Sequence, residues 1–121
     1  MTPDEAITKA FYFLTAQGKP SRHPSGFGCA YRGVGGEACT IGLFMDEEAA
    51  RKADAFGDVR ELMTYAPDLL PDWARADPPL ADAMQAAHDK ANPGPEWVAD
   101  MQRRMRAVAA DFKLTIGEAT P

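Results

Sequence analysis

The chain has 121 residues, so a single domain over 1–121 is the expectation. Eighteen Asp and Glu against thirteen Lys and Arg leave a formal charge of −5, which argues against a protein that coats nucleic acid, because phosphate binding needs positive surface. Apolar residues at 45% are too many for a disordered chain, and no apolar run approaches the ~18 residues of a transmembrane helix. Two acids precede the first apolar stretch in MTPDEAITKAFYFL, where a secretory signal carries positive charge, so a cytoplasmic location is expected. A domain of this size buries roughly two-thirds of its unfolded surface, enough for a core without disulfides.

Thr2-Pro3-Asp4-Glu5 places a cap residue, a first-turn proline and an acid as a capping box does. Ile7, Ala10, Phe11 and Leu14 then recur at helical spacing, and Gly18 followed by Pro20 ends the run. The pattern predicts a helix over 3–17, then a loop over 19–27 that holds Arg22 and His23. From Cys29 to Leu43, two short apolar-containing runs flank a glycine-rich centre, and this predicts a small β-hairpin near 29–43. A three-residue loop at Gly33-Val34-Gly35 would set Cys29 opposite Cys39, and a four-residue loop would offset them by one; the composition fits either.

Asp46 can cap a helix over 47–56 that Gly57 ends. Asp58 with Glu61 reads as another capping box, opening a short helix to about Tyr65. Residues 68–77 read as irregular, anchored on the core by Leu69, Leu70 and Trp73. Asp77-Pro78 opens a further helix with Leu80, Met84, Ala87, His88 and Ala91 on one face. After Asn92-Pro93-Gly94-Pro95, a last helix over 96–112 carries Trp97, Met101, Met105, Val108 and Phe112 as its apolar stripe. The resulting class is α+β, mostly helical, with four to five helices and the hairpin near 29–43. A lone two-stranded hairpin is marginal in water and must pack on the helices.

The run C-A-Y-R-G-V-G-G-E-A-C-T-I-G-L-F-M-D-E-E from Cys29, the His88-Asp89 pair and the later Trp97 resemble a family of small proteins encoded by phages, prophages and many bacterial genomes. The opening helix ends in Leu14-Thr15-Ala16-Gln17-Gly18-Lys19-Pro20-Ser21, similar to the L-x-x-Q-x-K-x-S of that family with an extra proline before the serine. Members often carry a tyrosine and a Glu-Gly pair after D-E, where this chain has Ala50 and Phe56-Gly57. The resemblance implies a shared fold from about Ala6 to Leu114 and a mobile-element origin. It implies no reaction.

Cys29, Cys39, His23 and His88 would supply a Cys2His2 zinc set, without a C-x-x-C or H-x-x-x-H spacing to support it. Cys29 or Cys39 with His88 and an orienting carboxylate, Glu37 or Asp46, would supply the parts of a thiol enzyme. Asp89 is a poor orienter on this reading, since consecutive helical residues point about 100° apart. The plainer reading makes both cysteines reduced core residues and His88 a core-edge histidine. Tyr31 and Arg32, adjacent on a strand, would face opposite ways. If buried, Tyr31 would take His88 or Asp89 as hydroxyl partner, and Arg32 would pair with Glu37 or with an acid on a helix, or anchor an anion or carboxylate. Gly33, Gly35 and Gly36 lack the lysine and following helix of a phosphate loop and read as a turn. Arg103, Arg104 and Arg106 read as a solvated helix face.

Asp46, Glu47, Glu48, Asp54 and Asp58 crowd into thirteen residues, suited to a basic partner surface or to mimicry of nucleic acid. The expected function is a small acidic cytoplasmic accessory protein that binds a host or phage protein. No catalysis, cofactor, membrane contact or direct nucleic-acid binding is expected. Its partner-binding residues would be Arg32, Glu37, Asp46, Glu47, Glu48 and Asp54. The alternative is a small thiol- or zinc-dependent enzyme centred on Cys29, Cys39 and His88.

Overall fold

The computed structural model describes residues 1–22 and 30–118. Among them are six α-helices: α1 (Pro3–Gln17), α2 (Glu47–Phe56), α3 (Val59–Tyr65), α4 (Asp72–Ala76), α5 (Pro78–Asp89) and α6 (Trp97–Asp111). None is long and apolar enough to cross a membrane.

The helix starts follow from their caps. Thr2 Oγ1 accepts the Glu5 N–H at 3.1 Å, and Glu5 Oε1 accepts the Thr2 N–H at 3.0 Å. Asp46 Oδ1 accepts from Ala49 N at 2.7 Å and Asp58 Oδ1 from Glu61 N at 2.9 Å. Asp77 caps α5 through Leu80 N at 3.3 Å. Gly18, at φ 75°, ends α1 in the left-handed conformation that costs glycine nothing.

α6 packs against both α1 and α5, and α5 also packs against α3 and α4. The apolar stripes meet in one core, where Ile7, Leu14, Leu62, Leu80, Met84, Trp97, Met101 and Met105 are fully buried. Beyond α6 the chain turns back along α1. Thr115 N donates to Asp4 Oδ1 at 2.7 Å, Gly117 N to Thr8 Oγ1 at 2.9 Å, and the Tyr12 hydroxyl to Gly117 O at 2.9 Å.

The expected hairpin near 29–43 is not formed, and the described residues make an all-helical fold rather than α+β. Its remnant is one isolated antiparallel bridge, Arg32 to Ala38, turning about Gly35. That register matches neither expected loop length. Cys29 itself lies outside the described residues. Two backbone bonds flank the bridge, Gly33 N to Glu37 O at 2.9 Å and Cys39 N to Tyr31 O at 3.1 Å. The chain then coils into a 3-10 turn over Gly42–Phe44.

The physical reason lies in where this segment's backbone groups find partners. Gln17 of α1 brackets Ala38, its Oε1 accepting Ala38 N at 2.9 Å and its Nε2 donating to Ala38 O at 3.0 Å. Asp54 of α2 accepts Tyr31 N at 2.9 Å, and Gln85 of α5 accepts Ile41 N at 3.2 Å. Helix side chains thus take the places of a second strand. Residues 68–77, read as irregular, contain α4. Its Trp73 and the preceding Leu70 are buried as expected, and Leu69 is half-buried.

Candidate functional site

Between the α2–α3 corner and α5 lies a cleft of about 550 Å³. Its floor is Tyr31 and Cys39, and Gln85 and Ala86 of α5 flank it. Four carboxylates line it: Asp54 and Asp58 from the corner, Asp82 and Asp89 from α5. Arg60 and Lys90 are the cations at its edge.

Each carboxylate spends one oxygen on the fold. Asp54 Oδ1 holds Tyr31 N, Asp58 Oδ1 caps α3, and Asp82 Oδ2 lies 3.5 Å from the Arg60 guanidinium. Asp89 Oδ1 accepts from Gln85 Nε2 at 2.9 Å and from His88 Nδ1 at 2.8 Å. The second oxygen of each makes no hydrogen bond among the described residues.

Cys39 is almost completely buried and receives the Gly42 N–H on its sulfur at 3.3 Å. Burial pushes its thiol up to about 12, with Asp89 adding to the rise. It is therefore a protonated thiol, not the thiolate a nucleophile needs. Burial likewise raises the Tyr31 phenol. Its hydroxyl donates to Gly57 O at 2.7 Å, not to His88 or Asp89 as the sequence reading expects.

His88 is fully buried and uses both ring nitrogens. Nε2 accepts the Ser21 N–H at 2.9 Å, which assigns the proton to Nδ1 and the Nδ1 bond to Asp89. The adjacent acid does orient the imidazole, against the expectation from helical geometry. Asp89 is the last residue of α5, where the backbone leaves the helix. Trp97 packs edge-on to the ring at 5.6 Å. Cys39 and His88 are not hydrogen-bonded to each other among the described residues. His23 and Cys29, the other members of the expected zinc set, lie outside the described residues.

The six expected partner-binding residues separate. Glu37 is buried; Arg22 N donates to its Oε1 at 3.1 Å, and Lys19 Nζ lies 2.9 Å from its Oε2. Burial works to raise its pKa, but Lys19 and the Arg22 N–H outweigh that and hold it lowered. Arg32 neither pairs with Glu37 nor stands free. Its Nε donates to Gly42 O at 3.1 Å and its Nη2 to Met45 O at 2.6 Å, closing the 3-10 turn. Asp54 lines the cleft. Asp46, Glu47 and Glu48 are exposed on the first turn of α2.

The basic stretch of α6 is likewise engaged. Arg103 and Arg104 bind Asp100, and Arg106 lies over the Phe11 ring at 5.1 Å. Asp82, Gln85 and Asp89 are site residues that the sequence reading did not gather with Asp54 and Asp58. The i, i+3, i+7 spacing of Asp82, Gln85 and Asp89 is the signal that could have found the α5 wall. Comparison of the chain with protein-family models, with curated proteins and with solved structures finds no match.

Proposed function

We propose that this chain is a small acidic accessory protein that acts by binding a basic segment of a host or phage protein, without catalysis of its own. The observation that carries the reading is the cleft in which Asp54, Asp58, Asp82 and Asp89 converge, each with an oxygen uncommitted among the described residues. Guanidinium and ammonium groups are the natural complements of such a set. The exposed Asp46, Glu47 and Glu48 extend the negative field at the start of α2 and would speed encounter with a basic partner. The resemblance of the Cys-Tyr-Arg and Cys-Ile-Gly stretch to phage and prophage proteins supports a mobile-element setting.

The test is titration with a fluorescent oligo-arginine peptide at low and moderate salt. Asp82→Lys, on the α5 wall, is expected to weaken binding by about tenfold, close to 1.4 kcal/mol. Glu47→Lys, on α2 away from the cleft, is expected to slow association and change the affinity less. Equal losses from both variants would leave only diffuse charge attraction and overturn the cleft as the site.

A further inference from the structure

The tie between His88 and Ser21 joins α5 to the segment that follows α1, across 67 positions of sequence. It depends on one proton. Nε2 faces a backbone N–H donor, so it must present a lone pair. The remaining bonds extend the tie into a chain. Nδ1 donates to Asp89 Oδ1, Gln85 Nε2 donates to the same oxygen, and Gln85 Oε1 accepts Ile41 N. Ser21 and Ile41 are thus both held on α5 by neighbouring side chains.

A second proton on His88 would turn Nε2 into a donor aimed at another donor. The imidazole is fully buried and cannot swing to water in place. The Asp89 carboxylate would welcome the charge, so the added proton removes one tie and keeps the other. We propose that His88 is an acid-sensitive latch: neutral, it fastens Ser21 to α5, and protonated, it releases Ser21 while the helical core stays folded.

The groups around the latch separate it from its neighbours. From α5 the facing charge is Asp89, and from α6 the packed ring is the uncharged Trp97. From residues 30–46, Cys39 and Tyr31 feel Asp89, and both are pushed up, so they keep their protons between about pH 5 and about pH 8. Next to Ser21, Arg22 N is held by Glu37, flanked by Lys19 and Arg22; Glu37 is lowered and stays ionised there. Among these groups, His88 is the one whose bonds to Ser21 and Asp89 an added proton would rearrange.

The experiment is residue-resolved amide exchange on the full chain from about pH 8 to about pH 5. Rates are corrected for the intrinsic pH dependence of exchange. Ser21 protection is expected to fall by roughly tenfold per pH unit where its release takes up one proton, the slope of a single-proton linkage. Protection of Met105 in the α6 core is expected to hold. His88→Gln, which offers one acceptor and one donor and takes up no proton here, is expected to keep Ser21 protected throughout. Constant Ser21 protection in the parent chain, or simultaneous loss at Met105, would overturn the latch. Should H88Q not fold, ring 15N shifts of the parent chain decide. Nε2 protonation in step with Ser21 release supports the proposal, and release with Nε2 still unprotonated overturns it.

Discussion

Gly42 lies flat against the backbone of Tyr31. A Cβ placed on Gly42 would stand 1.7 Å from the Tyr31 carbonyl oxygen and 2.8 Å from its Cα. The clash is with main chain, so no rotamer change can relieve it. The contact is what allows the 3-10 turn to sit over Tyr31, with Cys39 beneath it in the cleft floor. Gly42→Ala is therefore expected to cost about 3 kcal/mol, read as a lower urea midpoint. A loss below about 0.5 kcal/mol, the level of an ordinary surface change, would contradict this packing.

Arg32 fastens the same turn through two carbonyls, Gly42 O and Met45 O. A lysine has no planar fork to reach both. Arg32→Lys is expected to destabilise by about 1–2 kcal/mol, the scale of one or two hydrogen bonds. Thermal unfolding monitored by circular dichroism measures it. A variant as stable as the parent would show that the guanidinium bonds contribute nothing net.

Alkylation tests the state of Cys39. With its thiol pushed up to about 12, almost none is thiolate near neutral pH. Iodoacetamide is expected to leave Cys39 unmodified in native buffer and to label it in urea, read by peptide mass spectrometry. Rapid labelling of Cys39 in the native chain would reopen the thiol-enzyme reading.

Acid sensitivity at Asp100 has a defined sign. Asn92 N, Arg104 and Arg103 all bind its carboxylate and hold it well below the usual carboxylate range. A lowered folded pKa gives stability that is present above the unfolded value of about 3.9 and lost as pH falls through the folded one. Asp100→Asn is therefore expected to be less stable than the parent at neutral pH. The gap is expected to narrow as pH falls below about 4. Urea unfolding across that range checks it, and a gap independent of pH would remove the ionic contribution.

The helices were legible because their signals are local. Thr2 with Glu5, Asp46, Asp58 and Asp77-Pro78 start α1, α2, α3 and α5 within a turn of where they stand in the chain. The burial of Leu80, Met84, Ala87, His88 and Ala91 followed from spacing alone. The surroundings of Arg32 and Glu37, which the strand pattern paired with each other, were not legible: Glu37 is buried and Arg32 half-buried. In the absence of a strand, their polar groups turn inward to Met45 and Gly42 carbonyls and to Lys19 and Arg22.

Sequence by itself determined where the long helices begin, which faces they bury and that the chain carries excess negative charge. These depend on residues within a few positions of one another and on simple counting. Tertiary structure alone decided the course of residues 30–46 and the cleft above it. There, backbone donors and acceptors choose between a neighbouring strand and side chains far away. Gln17, Asp54 and Gln85 lie 21, 23 and 44 positions from the groups they bind, and no local pattern reports a partner at that range. The same distance hid the site, since Asp54 and Asp58 meet Asp82 and Asp89 only after α3 and α5 have packed.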